Sequence, residues 1–366
     1  MSSRIKNLTV VITAALFVFG FFVAGLILPD KELSESERRY LADFPEINGD
    51  SIVNGKFMTE FDEYTLDQFP LRDRFRSIKA IAAGYLFGQR DNNGIYVQNG
   101  HLAKLEYPLD IKSVSRAAAR FGYVYDEYLK DSGSSVYLSV VPDKSYFLAK
   151  ENGYPSIDYD LLVNRFREEA DFGKYIDIMP LLEIDDYYAT DTHWRQEQIF
   201  DVAEKIAAEM GVSLDDEYEK VKAADDFYGV YYGQAALPFE PEELYYVTSE
   251  TLSHCKVYDY ETDSYISVYD EEKLGERDPY EFFLSGAKSL LTIENEAATT
   301  EKELIIFRDS FGSSIAPYFA EGYSKVTLVD IRYISPQIIG KYLDFEGKDV
   351  LFLYSTSVLN NSTTIK

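Results

Sequence analysis

The sequence predicts an α/β fold, a mostly parallel sheet with helices on both faces, preceded by one N-terminal transmembrane helix. Three observations predict it. Short, mainly apolar runs at 136–141, 304–307, 326–329 and 350–353 have the length of buried strands. Stretches with helical spacing of apolar residues alternate with them, and this order implies crossover connections and parallel pairing. Residues 8–28 carry no charge and come close to the roughly 20 residues that a helix needs to span a hydrocarbon core.

In chain order, Arg4 and Lys6 precede the apolar stretch while Pro29, Asp30 and Glu32 follow it. The positive-inside rule then leaves the N-terminus in the cytoplasm and exports the remainder. A cleaved signal peptide is the alternative, although such peptides have a shorter apolar region and Ala24-Gly25-Leu26 is a poor cleavage site. Residues 1–29 thus read as stub and anchor, and 30–70 as a stalk with an N-terminal helical region, its polar start at Glu32-Leu33-Ser34-Glu35-Ser36-Glu37. Helical spacing covers 57–66, Phe69-Pro70-Leu71-Arg72 closes that helix, and a second runs through Phe75, Ile78 and Ile81. Asn99-Gly100 splits two short β runs and reads as a type I′ hairpin.

The α/β alternation, assigned to 71–356, begins in earnest with a helix at 111–130, stopped by Asp131-Ser132-Gly133. A strand at 136–141 ends at Pro142-Asp143-Lys144, a helix follows at 159–170, and a short strand at 175–178. The helix at 197–210 is fed by a loop. Residues 212–300 read as an irregular, acidic, tyrosine-rich insert with β alternation at 257–260 and 265–269. The regular pattern then resumes as strand 304–307, helix 311–321, strand 326–329 and strand 350–353, before a polar tail at 357–366.

A net charge of -27 argues against nucleic acid or anionic membrane surfaces as partners, because both repel such a field. A chain that is 46% hydrophobic and 15% aromatic has ample material for a core. Cys255 is the single cysteine, so no intrachain disulfide forms; this is compatible with a Gram-positive bacterial envelope.

Two short motifs carry the candidate chemistry: Asp191-Thr192-His193-Trp194 and Arg308-Asp309-Ser310-Phe311-Gly312. They offer a carboxylate, an imidazole and a hydroxyl, the parts of a charge-supported nucleophile. An Asp-x-His step lets the carboxylate of Asp191 orient the imidazole of His193, one of only three histidines. Ser310 follows an apolar strand and opens a helix, the place where α/β folds put their sites. The backbone N–H groups of Phe311 and Gly312 are candidate oxyanion donors there. The bland readings stand beside these. Asp309 or Ser310 can simply cap the helix. His193 can be a buried structural histidine, and Trp194, the only tryptophan, is more often core than a sugar platform. A metal site is disfavoured, since three scattered histidines and one cysteine supply few ligands.

Several segments together resemble the DHHW family of bacterial envelope proteins, which is similar to alginate O-acetylation proteins and SGNH-type hydrolases. They are Asp67-Gln68-Phe69-Pro70-Leu71-Arg72-Asp73, Val141-Pro142-Asp143-Lys144, Thr190-Asp191-Thr192-His193-Trp194 and Phe227-Tyr228-Gly229, then 280–286, Arg308-Asp309-Ser310-Phe311-Gly312 and Val329-Asp330-Ile331-Arg332-Tyr333. The resemblance implies an SGNH-hydrolase-like domain with Asp191 as orienter, His193 as base and Ser310 as nucleophile. Thr192 departs from the family's name by standing where it has its first histidine. The serine motif lacks the usual glycine, and the usual glycine and asparagine oxyanion donors have no counterpart to assign.

On that resemblance the expected activity is O-acetyl transfer to a cell-surface polysaccharide, without a cofactor, from a cell membrane anchor. A multispanning membrane O-acyltransferase is the implied acetyl source. Trp194, Arg308 and Arg332 are candidate substrate-binding residues, with ion pairing as the structural alternative for the arginines. A carbohydrate acetylesterase using the same three residues and a non-catalytic polysaccharide-binding scaffold are the rival expectations.

Overall fold

The computed structural model describes residues 3–34, 36–214 and 217–366, arranged as two compact units. The first comprises residues 1–93 and 232–238, the second residues 94–231 and 239–366. In the first unit, α1 (Ser3–Ile27) is the helix apolar enough to cross a membrane, and none of its residues is buried. Shorter helices follow, among them α2 (Lys56–Asp67) and α3 (Arg72–Tyr85). The segment that reads as a polar stalk folds back instead: Leu33–Ser34 pairs antiparallel with Arg39–Tyr40. Glu37 holds Arg76 at 3.2 Å and Arg39 at 3.3 Å, while Asp67 anchors Arg39. Glu35, within that stretch, lies outside the described residues.

The second unit is built on an eight-stranded sheet. Its elements in chain order are α4 (Ile111–Val124), β1 (Ser135–Val141), α5 (Lys144–Leu148), α6 (Tyr159–Glu169), β2 (Lys174–Tyr175) and α7 (Phe200–Glu209). These are followed by β3 (Lys256–Asp259), β4 (Ser264–Ile266), β5 (Leu290–Glu294), β6 (Glu303–Arg308), α8 (Phe311–Phe319), β7 (Lys325–Val329), β8 (Asp349–Ser355) and α9 (Thr356–Asn360). Across the sheet the order is β4-β3-β5-β7-β6-β8-β1-β2. From β7 to β2 every pairing is parallel, and β5, β3 and β4 extend the sheet antiparallel beyond β7.

Both faces are buried, as a parallel sheet requires. Successive side chains of a strand point to opposite faces. Leu304, Ile306, Leu351 and Leu353 therefore join one core with Val202 and Ile206 of α7 and Ile315 and Phe319 of α8. Ile305, Phe307, Val350 and Phe352 join the other, with Phe121 of α4 and Phe166 of α6. This two-faced burial explains why the strands read as mainly apolar runs rather than alternating ones.

Three sequence expectations change here. The compact unit begins at Gly94, so residues 71–93, which read as the start of the α/β domain, belong with the N-terminal helices. The segment 212–300 contributes β3, β4 and β5 to the main sheet and forms a bulged hairpin from Glu219–Phe227 and Glu242–Thr248. Its polar character belongs to the edge strand β4, none of whose residues is buried, whereas β5 lies inside the sheet with Leu290, Leu291, Thr292 and Ile293 buried. The polar tail is no tail: Ser362 and Ile365 are buried, and Ser362 Oγ donates to the Ser113 carbonyl at 2.7 Å. The hairpin at Asn99-Gly100 stands as expected, with φ of 51° and 79° at its two central residues.

Candidate active site

Ser310 sits where β6 ends and α8 begins, at the carboxyl edge of the parallel strands. The turn is locked by Asp309, whose Oδ1 accepts from the Phe311 N–H at 3.1 Å and whose Oδ2 accepts from the Ser355 N–H at the end of β8 at 2.7 Å. Asp309 thus performs the structural task that sequence reasoning allowed to either residue, and Ser310 makes no side-chain cap. Its hydroxyl is left for other work.

The 187–194 segment is a tight turn with paired ends. Tyr187 bridges Trp194, and the Tyr188 N–H donates to the His193 carbonyl at 3.1 Å. Inside the turn, Asp191 Oδ1 accepts from His193 Nδ1 at 2.6 Å and from the His193 N–H at 3.0 Å. A carboxylate only accepts, so Nδ1 carries the proton and Nε2 is the acceptor. Ser310 Oγ lies 2.7 Å from that Nε2 and donates to it. One hydrogen-bonded chain therefore runs carboxylate, imidazole, hydroxyl across 117 residues of sequence separation.

Several residues that sequence reasoning missed hold this turn. Lys144, 2% exposed at the start of α5, donates its ammonium to the carbonyls of Tyr188 (2.6 Å), Ala189 (3.0 Å) and Asp191 (3.1 Å). Burial pulls its pKa down to about 7, against the attraction of Glu242 and Asp191. The neighbouring Asp143 carboxyl is pushed up to about 6, first by burial and then by Glu106, although Thr356, Tyr159 and Ser145 all donate to it. From the bulged hairpin, Glu242 accepts from the N–H groups of Ala189 (2.6 Å) and Thr190 (2.7 Å). Val230 N–H reaches Asp191 Oδ2 at 2.8 Å, made possible by Gly229, where an added Cβ would lie 2.3 Å from the Asp191 backbone. The Tyr280 ring stacks on the imidazole at 3.8 Å and 4°. The one sequence signal is that Lys144, Gly229 and Tyr280 stand in the resembling segments 141–144, 227–229 and 280–286; no local pattern gives their contacts.

Other expectations are corrected. Trp194 is fully buried: its indole N–H donates to Ser314 Oγ at 2.8 Å and its ring meets Phe311 edge-on. It is core and offers no platform to a sugar. Arg308 is 1% exposed, its stem against Gly312 and its guanidinium 3.9 Å from Asp330. Arg332 is committed to the same carboxylate at 2.6 Å. Ion pairing is the role seen for both arginines. The Phe311 and Gly312 N–H groups are bonded inside the turn, to Asp309 Oδ1 and to the Asp309 carbonyl, both at 3.1 Å, so neither is poised for an oxyanion. Among the described residues none accepts from the Ser310 N–H. Thr192 accepts from the Tyr231 hydroxyl at 3.0 Å.

No family model and no curated protein matches this sequence. Solved structures do. The chain is similar to a DHHW family protein from Eubacterium siraeum, with a TM-score of 0.60 and 20% identity, over 75% of this chain and 95% of that one. It is similar to Bacillus cereus PatB1, with a TM-score of 0.57 and 19% identity, over 72% of this chain and 96% of that one. PatB1 has also been solved with a sulfonyl adduct. The O-acetyltransferase domain of Pseudomonas putida AlgJ lies further off, at a TM-score of 0.45 and 12% identity, over 73% of this chain and 92% of that one. In fold, this chain stands with the DHHW family protein of Eubacterium siraeum and with PatB1 of Bacillus cereus.

Proposed function

We propose that this chain is a membrane-anchored O-acetyltransferase of the DHHW type, acting outside the cytoplasm on a cell-surface polysaccharide. The observation that carries the reading is the unbroken hydrogen-bonded chain Asp191–His193–Ser310, at 2.6 and 2.7 Å. In the first half-reaction His193 Nε2 takes the Ser310 proton as Oγ attacks the acetyl carbonyl carbon of the donor. The imidazolium then protonates the departing group, leaving acetyl-Ser310. In the second, a sugar hydroxyl gives its proton to Nε2 and attacks the same carbonyl carbon, and Ser310 leaves with that proton. The Ser310 N–H is the donor best sited for the oxyanion in both steps. A multispanning membrane acyltransferase is the proposed acetyl source, and α1 the anchor.

The sulfonyl adduct carried by PatB1 supports an activated nucleophile in this fold. The test is intact-mass analysis of the full chain after exposure to p-nitrophenyl acetate or a sulfonyl fluoride. A single adduct that Ser310→Ala abolishes is expected. An adduct that persists in Ser310→Ala, or none at all, overturns the mechanism. With an oligosaccharide acceptor present, O-acetylated sugar is the expected product. Free acetate alone would assign the chemistry to an esterase.

A further inference from the structure

Helix α3 turns its apolar side outward. Phe75, Ile78, Ala82 and Tyr85 recur at helical spacing and form one stripe, yet only Ala80 and Ala83, on the other side, are buried. Ile78 is 61% exposed and Tyr85 87%, and the stripe runs on into Leu86 and Phe87, both 78% exposed. Exposed Arg74 and Lys79 project from positions on either flank of the stripe. Residues 71–87 hold four basic side chains against one acidic, a net +3 in a chain of net -27. Glu37 engages Arg72 and Arg76, and Lys79 Nζ donates to Asn92 Oδ1 at 3.0 Å, while Arg74 is exposed on the other flank.

The occupant of this face is indicated by what touches its upper end. Phe75 and Phe69 pack on Phe21 of α1, with ring centroids 5.4 and 5.3 Å away, and Pro70 lies against Gly25. Phe21 is seven residues inside the end of the apolar stretch at Leu28, about 10 Å along a helix axis. If α1 spans a bilayer, the Phe69–Phe75 contact lies at acyl-chain depth, and the same lipid that wets α1 wets the stripe beyond Phe75. Interfacial amphipathic helices bury their apolar face about 5–10 Å into this boundary and keep cationic flanks at the headgroups.

We propose that the apolar face of α3, with the Leu86–Phe87 tip, is embedded in the leaflet beside α1, so that the chain is held by an interfacial helix as well as a span. The inference rests on reading α1 as a membrane span. The full chain, with Cys255→Ser, would carry a single labelled cysteine at Ile78→Cys, Phe87→Cys, Asp73→Cys or Val18→Cys. Each form is reconstituted in phosphatidylcholine–phosphatidylglycerol vesicles with an environment-sensitive fluorophore. Lipids spin-labelled near the headgroup should quench positions 78 and 87 strongly, with loss of iodide quenching, while position 73 shows the reverse. Position 18 should be quenched by labels at the bilayer centre. Quenching of 18 by lipid with 78 and 87 open to iodide overturns the proposal and leaves the anchor standing. Position 18 in water removes the anchor and the proposal together. Positions 78 and 87 shielded from both quenchers assign the face to a protein, a second copy or another partner, and also overturn it.

Discussion

Three contacts fix the His193 imidazole: Asp191 at Nδ1, Ser310 at Nε2 and the Tyr280 ring on its face. Asp191→Asn would invert the tautomer while preserving shape, and should lower turnover on the order of 10⁴-fold with the fold intact by circular dichroism. Lys144 gives a second prediction at this scale. Its depressed pKa means that between about pH 7 and its unfolded value the unfolded chain binds the extra proton, so native stability rises with pH across that window. In denaturant titrations at pH 7 and 9, the wild type should gain on Lys144→Met by about 1.4 kcal/mol per pH unit. A constant difference would mean that Lys144 does not titrate there. Trp194→Phe removes the donor to Ser314 and should cost about 1 kcal/mol of stability while leaving KM for any sugar acceptor unchanged. A raised KM with unchanged stability would restore the sugar-platform reading.

The site is the meeting of two short elements, the 187–194 turn and the β6–α8 turn. Each is fixed locally, the first by Tyr187–Trp194 pairing and the second by Asp309. Those local features were legible: Asp-x-His and strand–Ser–helix are patterns within a few residues. What braces them was not: Lys144, Glu242 and Val230 come from distant parts of the chain, and although Lys144 stands in a family-like segment, nothing local ties it to this turn. Gly229→Ala tests the brace. Its new Cβ would meet backbone of Asp191 at 2.3 Å, with no flexible side chain to yield. The turn must move, so Ser310 labelling by a sulfonyl fluoride should be largely lost in a protein that remains folded. Retained labelling would show that Asp191 tolerates the shift.

At the scale of the whole molecule, the carboxyl edge of the parallel strands places Ser310 between two covered faces. The chain's last residues complete one of them: Ser113 and Ser362 exchange hydrogen bonds, Ile365 is buried and the Lys366 N–H donates to the Ile331 carbonyl at 3.1 Å. Deleting 361–366 should therefore cost about 3–5 kcal/mol, read as a lowered denaturation midpoint. An unchanged midpoint would return the segment to the status of a tail. Serines and threonines made it look solvated. The Ser362 hydroxyl is instead buried and paired with Ser113, and the Ser357 hydroxyl donates to Glu106, which composition does not reveal.

By itself the sequence determined the apolar N-terminal helix, the α/β alternation with its runs of Val, Leu, Ile and Phe, and the carboxylate–imidazole step at Asp191 and His193. These are properties of neighbouring residues, where periodicity and spacing act directly on the chain. Only the tertiary structure decided that Ser310 meets His193, that Trp194 and Arg308 are interior, that the Phe311 and Gly312 N–H groups are taken, and that 212–300 both extends the sheet and braces the turn. Such outcomes depend on which distant groups satisfy one another once water is excluded. A side chain's identity does not specify its partner when that partner is a hundred residues away.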